Sequence, residues 1–178
     1  MSVTKQYCRL KCLNGVANGL NNAAATEIYL LLAGSPISRS GWTTNSADSQ
    51  GAPYGTTYDI SKAFDGNTST FWHTQFDPSD IAYPHTVDIN MGSAVTFDQM
   101  RVQNRNDGSS GPGIRDYEIY VSDDGASWTI AGSGEMNSAD PISITPGQIF
   151  DLNISLGGGA ATSLAVPRRM ARMSSYFR

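Results

Sequence analysis

RDYEIYVSDDGASW (residues 115–128) alternates apolar and polar side chains, then breaks at an Asp-Gly pair. Tyr117, Ile119 and Val121 fall on one face, Asp116, Glu118 and Tyr120 on the other. That two-residue period is the mark of a strand with one buried side. Asp123-Asp124-Gly125 then supplies the turn chemistry of a hairpin, and the next strand is predicted over 127–131. HTVDINM (85–91) repeats the pattern, with Val87, Ile89 and Met91 set against Thr86, Asp88 and Asn90. Further strands are predicted over 6–13, 27–33, 97–104 and 149–154. Many short strands separated by Gly, Asn, Asp and Pro predict an all-β sandwich or jelly roll.

In YCRLKCL (7–13), the same period puts Cys8, Leu10 and Cys12 on one face and Tyr7, Arg9 and Lys11 on the other. Four residues of strand separate the two cysteine Cα atoms by ~13 Å, and a disulfide needs less than about 7 Å. The two cysteines are therefore read as small buried apolar residues. The sequence offers no disulfide framework.

The chain has 178 residues, 39% of them hydrophobic, and a net charge of -4. This suits one domain with a real core and argues against a general nucleic-acid binder. No apolar run reaches the roughly 18–20 residues of a membrane span. The opening residues, MSVTKQYCRLK, hold no apolar signal core. Residues 43–61 are polar and read as a long loop, GSSGPG (108–113) as a loop tip, and GGGAA (157–161) as the break between the sandwich (1–156) and a tail (157–178). The last eleven residues carry four of the twelve basic side chains, and no acid follows Asp151. Val166, Met170, Met173 and Phe177 share a helical face, with Pro167 suited to its first turn. Three readings are open: a basic docking tail using Arg168, Arg169, Met170, Met173 and Phe177, a frayed terminus, or a segment that binds a membrane surface.

AFDGNTSTFWHTQF (63–76) concentrates oxygen donors and aromatics. Asp65, Asn67 and Thr70 bring oxygens around a turn that Gly66 permits. A hard cation such as Ca²⁺ takes six to eight oxygens; the other reading is a turn held by its own Asx hydrogen bonds. Trp72, beside Phe64 and Phe71, is assigned to the core, and His85 to the start of a strand. No HExxH, GxSxG, P-loop or CxxC occurs, and the acids are mostly single and in turns, so no enzyme is expected.

SKAFDGNTSTFWHTQF (61–76), YPHTVDINMG (83–92), RVQNRNDG (101–108) and IRDYEIYVSDDGASW (114–128) together resemble the discoidin domain, also called the coagulation factor 5/8 type C domain, which overlaps carbohydrate-binding module family 32. The resemblance covers 42–135 in order and implies a galactose-binding-like β-sandwich jelly roll. The closing strand usual in that family is matched at the start of this chain, by YCRLKCLNGVANGLNNAAATEIYLLL (7–32), which implies a circularly permuted order, or a unit cut from a tandem array one strand out of phase, with the segment 6–33 completing the sheet. The resemblance also implies a structural Ca²⁺ at the Asp65 loop, completed by Glu27, with carbonyls from the Lys62 and Thr26 regions. It implies a sugar site at His73 and Arg105, with Phe76 as the nearby aromatic.

From these features the chain is expected to be a non-catalytic glycan-binding or adhesion module. A phage particle is the expected setting, as a tail fibre, baseplate or capsid-decorating component within an oligomeric assembly. Cell-surface glycan is the expected partner, with other virion proteins held through the tail; neither nucleic-acid binding nor membrane insertion is expected. The alternatives are a virion assembly protein that has lost sugar binding, and a module of a secreted bacterial protein.

Overall fold

The computed structural model describes residues 1–16, 21–51, 56–76, 79–108, 113–136 and 144–157. Eleven strands are present among them: β1 (Val3–Cys12), β2 (Ala24–Ala25), β3 (Glu27–Leu32), β4 (Ser35–Pro36), β5 (Thr43–Ala47), β6 (Trp72–His73), β7 (His85–Phe97), β8 (Gln99–Gln103), β9 (Asp116–Ser122), β10 (Thr129–Glu135) and β11 (Ile149–Asn153). A five-stranded sheet runs β10-β9-β1-β7-β5 and a four-stranded sheet β11-β8-β3-β4, while β2 and β6 form a short ribbon. The strand pairs are antiparallel throughout. Among the described residues no helix is long and apolar enough to cross a membrane.

The alternating faces lie as the sequence predicts. Cys8, Leu10 and Cys12 are fully buried, as are Val87, Ile89, Ile119 and, from the facing sheet, Ile28, Leu30, Met100 and Val102. Each large aliphatic side chain taken from water contributes ~1.5–3 kcal/mol, and the two inner faces supply them in rows. Both cysteines are free thiols, and burial pushes both thiols up.

The N-terminal strand is an inner strand. β1 lies between β7 and β9, with Leu10 opposite both Val87 and Ile119. Its Cys12 end pairs with His85 and Tyr117, and its Val3 end with Phe97. Two poles follow from that register. The first holds Cys12, His85, Glu27 and Gln103, and the second holds Val3, Phe97, Leu31 and Asn153. Met1 shares a cleft at the second pole with Asn153, Ile154 and Ser155.

Two expectations need correction. Residues 43–61 are not a continuous loop, because Thr43–Ala47 forms β5 and pairs with β7. It is an edge strand with mostly exposed side chains, so it carries no apolar period to reveal it. The expected break after Met91 is also absent, since β7 continues to Phe97. The register explains this: between Lys5↔Val95 and Tyr7↔Asn90, β1 advances two residues while β7 advances five. A bulge absorbs the excess, and Gly92 takes a positive φ of 80° within it. The expected docking residues Arg168, Arg169, Met170, Met173 and Phe177, and the GGGAA break beyond Gly157, lie outside the described residues.

Candidate functional site

Asp65, Gly66 and Asn67 form the tight turn that their residue types predict. Gly66 has φ 76°. The Asp65 carboxylate accepts from the Asn67 amide at 2.9 Å and from the Thr70 hydroxyl at 2.8 Å, and Asn67 Oδ1 accepts from the Ser69 amide at 3.0 Å. Lys62 Nζ stands 4.0 Å from Asp65, and a short 3₁₀ turn over Ile60–Ala63, capped by Asp59, leads into the loop. Asx hydrogen bonds therefore organise the turn by themselves.

Glu27, the first residue of β3, is brought to the same corner. Its side chain is 0% exposed. Burial raises its carboxyl, and the Asp65 charge adds to the rise, while Arg39 and the Gly66 amide pull it down. Arg39 Nη1 donates to Glu27 Oε2 and reaches the Ile28 carbonyl at 3.2 Å and the Ala63 carbonyl at 3.4 Å. Its guanidinium also lies 4.0 Å over the Tyr29 ring. Among the described residues the other oxygen, Glu27 Oε1, is buried with no hydrogen-bond partner, and so is the neighbouring Thr26 Oγ1.

This donor set fits a hard cation. A buried carboxylate oxygen without a donor is costly, and a second carboxylate beside it adds repulsion that a cation would relieve. Among the described residues no group of three or more acids, histidines or cysteines gathers, so such an ion would rest on Glu27 and Asp65 with hydroxyl, amide and carbonyl oxygens.

A second constellation stands on β6 and the loops around it. β6 pairs with β2, placing Ala24 opposite His73 and Ala25 opposite Trp72. Trp72 is fully buried and donates from Nε1 to the Ser49 carbonyl at 3.2 Å. His73 forms the floor of an aromatic group. Its ring centroid lies 4.7 Å from Phe76, 6.0 Å from Tyr58 and 6.4 Å from Phe71, and Tyr58 lies 5.1 Å from Phe71. Its Nδ1 donates to the Thr74 carbonyl at 2.6 Å, leaving Nε2 as the lone-pair nitrogen of a neutral ring. Burial pushes the imidazole below its ordinary value, with the Thr74 carbonyl opposing and the Arg105 charge reinforcing the fall.

Arg105 follows β8 and joins this group. Its guanidinium lies 4.4 Å over the Phe71 ring. Its Nε donates to Asp107 Oδ1 at 2.9 Å, and its Nη2 to Asp107 Oδ2. Beside it a cleft of about 240 Å³ is lined by Thr68, Ser69, Phe71, Asn106 and Asp107. His73, Phe76 and Arg105 thus converge, and the Asp65 turn borders the cleft through Thr68 and Ser69.

His85 lies apart from both groups. It opens β7, as its sequence context predicts. Its Nδ1 faces Asp48 Oδ2 at 3.1 Å and its Nε2 the Asn21 carbonyl at 2.7 Å.

Sequence reasoning did not single out Arg39, Phe71, Asp107 or Asp48. Phe71 is legible as an aromatic, but the sequence uses it only as a neighbour of Trp72. The Arg-Asn-Asp-Gly run at 105–108 held a readable signal, since a turn can fold an acid back onto an arginine two residues earlier. Arg39 had none, because ISRSGW (37–42) has no period or motif. Tyr58 had no readable direction either, because its neighbours in TTYDI (56–60) set no period.

The family model of the F5/8 type C domain matches residues 42–149. Over 96 residues the chain is 34% identical to a galactose oxidase of Gibberella zeae, covering 53% of this chain and 13% of that protein. Over 69 residues it is 38% identical to a sialidase of Micromonospora viridifaciens, covering 38% of this chain and 10% of that protein. The chain therefore spans a small part of the length of the curated relatives it matches. β1 to β4, and with them Glu27, precede the span matched by the family model.

Proposed function

The chain belongs to the F5/8 type C domain family, and we propose that it acts as a non-catalytic glycan-binding module. Its sugar site is the aromatic group over His73, with Arg105 and the adjoining cleft. The observation that carries this reading is the meeting of His73 and Phe76, from one stretch, with Arg105 from the end of β8, around Tyr58 and Phe71 at one pole. Sugars need apolar surface for their C–H faces and directional groups for their hydroxyls, and this group supplies both. The names of the two relatives, an oxidase of galactose and a sialidase, accord with a module that serves carbohydrate-active proteins.

A structural Ca²⁺ belongs to the same proposal. Glu27, Asp65, Asn67, Thr70 and the Lys62 and Thr26 carbonyls would hold it, and it would tie β3 to the loop that borders the sugar cleft. The orphan Glu27 Oε1 supports this. A circularly permuted strand order is part of the reading as well. The inner position of β1, ahead of the matched span, and the meeting of Met1 with Ile154 and Ser155 at one cleft both favour it.

The setting we propose is a phage particle, with the sandwich displayed toward host-surface glycan and other virion proteins held through the tail. Two buried free thiols accord with a protein that needs no oxidising compartment to fold. Glycan-array binding of the chain, and of its His73→Ala and Arg105→Ala variants, tests the sugar site. Binding lost in both variants with unchanged melting supports it, and a wild-type chain that binds no glycan refutes it.

A further inference from the structure

We infer that the cleft beside Arg105 selects uncharged sugars and rejects acidic ones, and that Asp107 is the residue that sets this preference. The inference rests on the proposed sugar site and specifies its ligand class.

Arg105 is the cation of the site, and an unpaired arginine there would present a parallel pair of N–H donors to a uronate or sialate carboxylate. Here the Nε–Nη2 edge is already taken by both oxygens of Asp107. One face of the guanidinium is covered by Phe71. Arg105 is 12% exposed and Asp107 37%, so of the two charges the acid is the one more open to an incoming ligand. Thr68, Ser69, Phe71, Asn106 and Asp107 line the cleft, so its charged described lining side chain is an acid. The carboxylates of Asp80 and Asp107 also act on His73, whose burial favours the neutral ring.

A sugar hydroxyl both donates and accepts. It can donate to Asp107 while accepting from Asn106, both of which line the cleft. A carboxylate can only accept, and it meets the charge of Asp107 at short range. Specificity of this kind comes from a repulsive element placed against the wrong ligand. A cleft of about 240 Å³ also suits an end-on sugar ring better than a long chain laid flat.

The test is calorimetric titration with matched pairs of methyl glycosides, galactoside against galacturonide and glucoside against glucuronide, whose members differ only at carbon 6. The wild-type chain is expected to bind the neutral member of the pair it recognises about tenfold or more tightly. The Asp107→Asn variant is expected to narrow or invert that ratio. Low salt should widen the wild-type discrimination, because screening weakens the repulsion; this readout needs no variant. Equal or tighter wild-type binding of the acidic member, or an unchanged ratio in a folded Asp107→Asn variant, would overturn the inference and leave the sugar site standing. A chain that binds neither member of either pair, nor any neutral or acidic glycan on an array, refutes the sugar site itself and this inference with it.

Discussion

The carboxylate of Glu27 lies within the field of Asp65: burial first, and then this neighbouring charge, raise the Glu27 carboxyl, while Arg39 and the Gly66 amide lower it. Arg39, which donates to Glu27 and reaches the Ala63 carbonyl at 3.4 Å, ties the acid that opens β3 to the loop that carries Asp65, and among the described residues one Glu27 oxygen has no hydrogen-bond partner.

Calcium should raise the melting temperature, and a chelator should lower it. At a hundredfold excess over its dissociation constant, an ion bound only by the folded state adds ~2.7 kcal/mol. Glu27→Gln should abolish the calcium response. Differential scanning calorimetry with and without EDTA reads this directly, and a melting temperature indifferent to both would refute the cation.

Arg39→Met should destabilise the fold by about 3–5 kcal/mol in metal-free buffer, because it strands a buried carboxylate. The double variant Glu27→Gln with Arg39→Met should recover much of that loss, since no charge remains to be satisfied. Urea melts of the two single variants and the double variant form the cycle. Additive losses would show that the pair is not coupled.

The two histidines should tilt stability in opposite directions with pH. Burial opposes charge on His85, but the Asp48 carboxylate and the Asn21 carbonyl outweigh it and the group is raised. Its contribution is complete below the ordinary histidine value of about 6.5 and is lost as pH climbs through the raised folded value. For His73 the folded value is lowered. The unfolded chain then takes up a proton first, and stability declines as pH drops below that ordinary value. His85→Gln should flatten the alkaline limb of a stability-pH curve and His73→Gln the acid limb, both measured by denaturant melts at fixed ionic strength.

Gly51→Ala should weaken glycan binding more than it weakens the fold. A Cβ at Gly51 would stand 2.4 Å from Tyr58 Cβ and 2.9 Å from its Cδ2, so Tyr58 must leave its place against Phe71 and His73. Titration of the recognised glycan should show at least a severalfold loss. Unchanged affinity would mean that Tyr58 is no wall of the site.

The membership of the aromatic group around His73 shows how far local reading reaches. His73, Phe76 and Arg105 were named from motifs, and the chain does bring them together. Asp107, which cancels the Arg105 charge, and Phe71, which the guanidinium covers, were passed over. Their importance lies in which loops meet, and no spacing within one loop records that. The same holds for β5, whose exposed Thr and Ser side chains give no apolar period although its backbone pairs with β7.

By itself, the order of residues determined which side chains of each long strand face inward, where the Asp-Gly turns fall, and that the two cysteines are thiols of the core. Those properties follow from a period of two and from the φ preferences of glycine, both of which act within a few residues. The tertiary structure alone decided that Arg39 is the partner of Glu27, that Asp48 and Asn21 bracket His85, and that Asp107 pairs with Arg105 over Phe71. These pairings arise from strand register and sheet packing, which bring distant segments within hydrogen-bond range, and electrostatic energy depends on that distance in space rather than on separation along the chain.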